Sequence, residues 1–298
     1  MPFQVLARDL LSILIITVLG MTLALAGGSG GLVRANVPVF LWCAGLAFGL
    51  NWLVYIPSAL ARTEHYYDLT GGLTYLSVTA LAAVLSQPLD LRCTLVVCMV
   101  SIWAIRLAGF LFVRVRRVGK DVRFDVVKTK PSTFLVWWTL QALWVLTTMA
   151  AALAIVAGGQ RVPMSWLSWA GFSVWGFGFA IEVIADAQKS SFKSDPTNQS
   201  RFIRTGLWAW SRHPNYFGEI VLWTGVALMA VPILTGWQYA TLISPVFVSF
   251  LLMKMSGVPL LERKADERWG GQEDYEAYKA ATPVLIPRPP RSLAPPQD

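Results

Sequence analysis

The sequence has few of the residues from which most soluble active sites and disulfide scaffolds are built. It contains two histidines, three cysteines and only 14% charged residues in 298 positions. Cys43, Cys93 and Cys98 lie in or beside apolar segments. They have neither the pairing of a disulfide framework nor the spacing of a zinc site, and they read as small core residues. With His65 and His213 as the only histidines, a metal centre would have to rest on carboxylates, so no metal is expected. No basic stretch is joined to a soluble recognition module, so the net charge of +8 does not point to nucleic acid. No internal repeat stands out, and there is no inverted pair of broken helices of the kind transporters use.

What the chain has is apolar length. It is 55% hydrophobic, with a mean hydropathy of +0.53. A soluble domain of this size could not usually hide so much apolar surface. Apolar segments run at 9–27, 37–57, 73–88, 91–112, 134–158, 165–186, 219–234 and 238–256. Such blocks suit helices of roughly 20 residues crossing a hydrocarbon core about 30 Å thick, where the backbone must satisfy its own hydrogen bonds. The expected fold is therefore all-α, a polytopic integral membrane protein with seven or eight transmembrane helices. The third and seventh segments are short and leave the count open by one. Fourteen tryptophans suit the lipid–water interface.

Charge sets the expected orientation. The linker 113–130 carries Arg114, Arg116, Arg117, Lys120, Arg123, Lys128 and Lys130 against Asp121 and Asp125. The next polar linker carries Lys189, Lys193, Arg201, Arg204 and Arg212, whereas the turn between them has Arg161 alone. Basic loops stay cytoplasmic. Both linkers and the C-terminus are expected there, in a membrane of the bacterial inner-membrane kind. The chain reads as one membrane domain, with 1–133 on the substrate side, 134–287 on the cofactor side and 288–298 as a flexible proline-containing tail. The polar stretch ARTEHYYDLTGG at 61–72 reads as an interfacial cap, with Tyr66 and Tyr67 at headgroup depth.

The candidate site lies between Ile181 and Ile286. Glu182 and Asp186, four residues apart, share one helix face, and an ionisable group in a membrane segment is costly unless it faces a cavity or a partner. In RFIRTGLWAWSRHPNYFGEIVLW, residues 201–223, Pro214 suits the first turn of a helix. A helix starting there leaves free N–H groups for an anion, flanked by Arg204, Arg212 and His213. Asn215, Tyr216 and Glu219 follow, with Glu219 one turn deeper to receive a hydroxyl or amide donor. After the last segment, Glu262, Asp266, Glu267, Tyr275 and Tyr278 either close such a pocket or line a solvated amphipathic helix.

These residues carry a resemblance. The Phe192–Lys193 pair, GLWAWSRHPNYFGE at 206–219 and YEAYKAATPVLIP at 275–287 resemble the superfamily of steroid 5-alpha-reductases, sterol C14 reductases and isoprenylcysteine methyltransferases. YYDLTGGLTY at 66–75, WAIRLAGFLFVR and KDVRFD resemble its DUF1295 branch. The resemblance implies a helical membrane enzyme binding NADPH on its cytoplasmic side. Asn215, Glu219 and Asp186 match its cofactor contacts, and Arg106, Arg117, Arg204 and Arg212 are candidates for its phosphate contacts. Lys193, His213, Tyr216, Glu182, Tyr275 and Tyr278 are taken with the same cofactor-binding region. Where the steroid reductases have a glutamate and a tyrosine that hold the ketone, this chain has Tyr55 in YIPSAL and Trp103 in WAIR. Trp supplies no proton as a phenol does.

The leading expectation is hydride transfer to an enone-like double bond of a lipid or other hydrophobic substrate. Tyr55 is the first candidate donor to the carbonyl oxygen, with Asn51 on the same helix face, and Tyr216 is the second. The alternative is S-adenosylmethionine-dependent methylation of a lipid or prenyl thiol or carboxylate, since Arg212, His213, Pro214 and Tyr216 also fit the motif of the methyltransferase branch and the 262–278 cluster loosely matches its late glutamate-and-tyrosine region. A transporter or scaffold that has kept the fold is the non-enzymatic reading. Membrane lipids are expected partners in every case.

Overall fold

The computed structural model describes residues 3–118 and 124–290, with side chains beginning at Gln4 and omitting 110–118. The elements are α1 (Phe3–Gly27), α2 (Val39–Leu60), α3 (Tyr67–Leu85), α4 (Leu91–Val118), α5 (Pro131–Thr148), α6 (Ala150–Val156), α7 (Trp166–Ser194), α8 (Pro214–Ala230), α9 (Ile243–Phe250), α10 (Val258–Trp269) and α11 (Glu273–Ala281). The strands among the described residues are β1 (Val33–Arg34) and β2 (Val37–Pro38). They form a small antiparallel hairpin turning on Ala35 and Asn36, both at positive φ. Seven helical runs are long and apolar enough to cross a membrane, and α5 with α6, bent by 58°, makes an eighth. The protein is thus an all-α polytopic integral membrane protein.

The chain divides into two compact units, one reaching to Trp169 and including Val226–Ser244, the other comprising Ala170–Gly225 and the chain from Pro245 onward. In the first unit α1 packs on α5, α2 lies against α5 and α3, and α3 lies against α4. Lipid competes for the same apolar surface, so close packing and buried hydrogen bonds must hold these helices together.

The polar residues of the first unit supply such bonds. Asp9 of α1, 2% exposed, accepts from Ser132 Oγ and Thr133 Oγ1, each at 2.7 Å, and from Arg8 at 3.2 Å. A carboxylate is thereby set against the first turn of α5, where the helix dipole favours negative charge. The α5–α6 bend follows an interruption of the backbone ladder, and the freed Thr148 carbonyl accepts from the Ser244 hydroxyl.

The third membrane helix begins at Tyr67, six residues before the hydropathy-based start at 73. Tyr67 is buried within the protein. It is 7% exposed, packs with Phe124, Phe134 and Trp138, and donates its hydroxyl to the Trp137 carbonyl at 2.9 Å. That bond lets a polar side chain enter an aromatic core, and the helix extends with it. Tyr66, 54% exposed, keeps the surface position.

In the second unit α7 and the start of α8 run antiparallel in backbone contact. A Cβ on Gly178 would lie 2.7 Å from the Gly218 carbonyl oxygen, and one on Gly225 would lie 2.6 Å from that of Gly171. Glycines seven apart on each helix therefore admit two close approaches, the small-residue device common in membranes.

Candidate functional site

This glycine contact fixes the polar residues around it. A Cβ on Gly218 would also come within 2.7 Å of the Glu182 backbone nitrogen, so buried Glu182 sits where α7 touches α8. One turn farther along α7, Asp186 accepts from Asn215 Nδ2 at 3.1 Å. Because a carboxylate can only accept, the Asn215 amide is oriented with its nitrogen toward Asp186 and its oxygen away. That oxygen is buried and has no partner.

Just before α8, Glu262 of α10 joins two residues of the RHPN stretch. Its Oε2 accepts from Arg212 Nη1 at 2.5 Å, and its Oε1 lies 2.7 Å from His213 Nε2. His213 is 4% exposed. Burial pushes its pKa below the usual histidine range, and the Glu262 contact only partly restores it. The imidazole is therefore neutral near pH 7. Facing a carboxylate acceptor, it carries its proton on Nε2 and leaves Nδ1 as a buried lone pair without a partner. The ring lies parallel to that of Tyr216 at 5.6 Å. The site thus presents two open acceptors, His213 Nδ1 and Asn215 Oδ1, and one open donor, Arg212 Nε, at the beginning of a 17-residue helix.

Glu262 reaches this place through an irregular path. Leu251–Met255 forms a π-turn before α10, a distortion often found at functional sites. Gly257 follows, where a Cβ would stand 2.9 Å from the Tyr216 ring. The motif is also held from the other side. The Arg212 amide donates to the Pro283 carbonyl at 2.9 Å, Ser211 Oγ donates to that of Leu285 at 2.8 Å, and the Arg288 amide donates to that of Trp210 at 2.9 Å. The tail segment 283–288 is therefore paired along the stretch that delivers Arg212 and His213. Tyr278 adds a bond from its hydroxyl to the Trp208 carbonyl at 2.7 Å.

The other expected site residues are spread around this centre. Tyr275 donates to Asp266 at 3.0 Å, and burial raises its pKa, as it does that of Tyr278. Arg204 faces Asp274 at 3.9 Å at the surface, and Lys193 is exposed in the last turn of α7. Glu219 is half-buried one turn into α8. Glu262 is the central residue that the resemblance did not single out. Lys189, 4.5 Å over the Trp208 ring, and Gln188, accepting from the Leu207 amide at 2.9 Å, were likewise not among the expected contacts.

Asn51, Tyr55 and Arg106 belong to the first unit. Asn51 is fully buried and donates to Ala47 O at 2.9 Å and Thr74 Oγ1 at 3.2 Å. Tyr55 donates to the Pro131 carbonyl at 3.0 Å and sets its ring edge-on to Phe134. Arg106 is half-buried on α4. Arg117 continues the same helix, but its side chain lies outside the described residues. Among the described residues no group of three histidine, cysteine or carboxylate side chains is placed to hold a metal.

Fold and site define an integral membrane protein with a half-buried carboxylate–imidazole–guanidinium cluster at the start of a transmembrane helix. The chain belongs to the DUF1295 family, described as proteins of unknown function, whose model matches residues 54–282. It is 28% identical over 102 residues to a protein of Ustilaginoidea virens named "Probable O-methyltransferase ustE", across 34% of this chain and 36% of that one. It is 32% identical over 89 residues to "Uncharacterized protein C594.04c" of Schizosaccharomyces pombe, across 24% of this chain and 26% of that one. The chain thus spans between a quarter and about a third of the length of these relatives. No solved structure matches.

Proposed function

We propose that this protein is a membrane-embedded methyltransferase that uses S-adenosylmethionine to methylate an oxygen of a lipid-like acceptor. The observation that carries this reading is the pair of buried open acceptors at the start of α8, His213 Nδ1 and Asn215 Oδ1. Two lone pairs beside Glu262 and Asp186 suit a ligand that offers N–H groups and positive charge. They oppose a phosphate, whose oxygens would face other acceptors. A helix N-terminus alone would favour the anion. Here two side-chain acceptors oppose that preference, while Arg212 gives Nη1 to Glu262 at 2.5 Å and keeps a buried, open Nε–H for an acceptor such as the carboxylate of S-adenosylmethionine.

S-adenosylmethionine supplies an ammonium, an adenine amine and a sulfonium-bound methyl group. In this reading Asn215 Oδ1 and His213 Nδ1 receive its N–H groups, and Asp186 and Glu262 hold those two acceptors in orientation. Glu182 and Glu219 add negative charge around a cationic ligand, and the Tyr216 ring offers a face to it. The name of the Ustilaginoidea virens relative supports O-methylation as the reaction.

A second reading, an NADPH-dependent reductase of an enone-like lipid, is favoured by the NYFGE run, in which Asn215 and Glu219 match reductase cofactor contacts. Calorimetry on detergent-purified protein separates the two. S-adenosylmethionine is expected to bind, and Glu262→Gln, which releases the imidazole and Arg212 together, to weaken it about tenfold or more, ~1.4 kcal/mol. Binding of NADPH instead, weakened by Glu219→Ala, would overturn methyl transfer in favour of reduction. Binding of neither would support a non-enzymatic role.

A further inference from the structure

Ser211, between Trp210 and Arg212, is fully buried. A hydroxyl has one proton and two lone pairs, and here both capacities are spent on the backbone. The proton goes to the Leu285 carbonyl at 2.8 Å, with the Val284 carbonyl farther off at 3.3 Å, and a lone pair accepts the His213 amide at 3.2 Å. One side chain therefore joins the end of the chain to the residue whose ring carries the open Nδ1. Main-chain bonds of 2.9 Å flank it, from the Arg212 amide to the Pro283 carbonyl and from the Arg288 amide to the Trp210 carbonyl.

The chain end is suited to this pairing. Pro283 and Pro287 lack an N–H, so the segment has more acceptors than donors, and its carbonyls at Pro283 and Leu285 receive Arg212 and Ser211. His213 needs such support because it stands just before Pro214, where α8 begins. An amide there lies outside the helical ladder, and a proline disfavours helical backbone in the residue before it. The His213 backbone is thus placed from both sides, by Ser211 at its amide and by Pro214 after it. Glu262 then holds the ring at Nε2, 2.7 Å away. Loss of the hydroxyl removes one of these three restraints and leaves a buried amide without its acceptor.

We propose that Ser211 is a positioning residue of the candidate site, which joins the chain end to the His213 backbone and so keeps Nδ1 turned toward the bound ligand. The ligand, S-adenosylmethionine, rests on the methyltransferase reading above, whereas the state of the ring can be measured without it.

With His65 and His213 as the only histidines, the ring is directly observable. NMR of full-length protein carrying isotopically labelled histidine should show His213 as the Nε2–H tautomer at neutral pH, with His65→Gln assigning the signals. Ser211→Ala is expected to mix the two tautomers, to let the ring titrate nearer the ordinary histidine range, and to weaken S-adenosylmethionine about tenfold in calorimetry. Arg288→Pro removes the amide bonded to Trp210 at the far end of the same segment and should disturb the His213 signals in the same direction. A wild-type tautomer and titration in Ser211→Ala, even with a lower melting temperature, would leave Ser211 only a packing role and overturn the proposal. A wild-type ring that is already mixed overturns it as well. If wild-type protein binds no S-adenosylmethionine while both variants still disturb the ring, the methyltransferase reading falls and the positioning role stands. Should Ser211→Ala fail to fold, Ser211→Cys, a weaker donor of similar size, takes its place, and an undisturbed ring in both Ser211→Cys and Arg288→Pro sinks the idea.

Discussion

His213 carries a pH dependence whose sign follows from its burial. Its pKa in the fold lies below the ordinary 6.5, so below that value the unfolded chain binds more protons than the folded one. The stability contributed by the neutral ring is fully present above 6.5 and is lost as pH falls toward the folded pKa. Melting temperature measured from neutral pH downward should fall more steeply in the wild type than in His213→Gln. Tyr278→Phe removes the donor to a buried carbonyl and should cost about 1–2 kcal/mol in denaturant unfolding, with little change in side-chain volume. At this scale the sequence was informative where chemistry is scarce. With two histidines in the chain, the one inside RHPN drew notice at once. Glu262 was named only alongside Asp266 and Glu267, because helical spacing treats Glu262 and Asp266 alike. Only the folded path of the π-turn and α10 shows that Glu262 meets Arg212 while Asp266 meets Lys279 at 2.7 Å.

Among elements, the α7–α8 pair depends on missing side chains. Gly218→Ala would press a methyl group against the Gly178 carbonyl and the Glu182 backbone. It should cost about 1–3 kcal/mol and weaken the proposed S-adenosylmethionine binding together with stability, because Asn215 and Asp186 are positioned by that contact. Gly45→Ala, whose Cβ would meet nothing within 4 Å, should leave both unchanged in thermal melts and calorimetry. Helix α8 begins at Pro214, the position that the proline's place in the motif implies. The start of α3 was harder to read, because hydropathy penalises a tyrosine whose hydroxyl the fold satisfies. The α5–α6 bend left no mark in the sequence. No glycine or proline occupies Thr148–Ala150, and the compensating donor, Ser244, lies far along the chain.

For the whole molecule, composition fixes the class, since eight apolar segments in the sequence correspond to seven spanning helical runs and one bent pair. Orientation rests on the basic linkers. A cysteine introduced at Val127, in a background with Cys43, Cys93 and Cys98 replaced, should react with a membrane-impermeant maleimide only after the cytoplasmic face is opened; labelling in intact cells would reverse the topology. Chemistry was less legible than architecture, because one motif serves two cofactor classes and the sequence does not reveal which polar atoms remain open. Asp9 has a consequence for biogenesis. Its hydroxyl partners, Ser132 and Thr133, leave the ribosome more than a hundred residues after it. Through the synthesis of three further helices the nascent first helix carries a carboxylate that these hydroxyls have not yet enclosed. The insertion machinery must hold that helix at the aqueous edge or shield it until α5 arrives, and a chain halted before Pro131 should be degraded rather than stored in the bilayer.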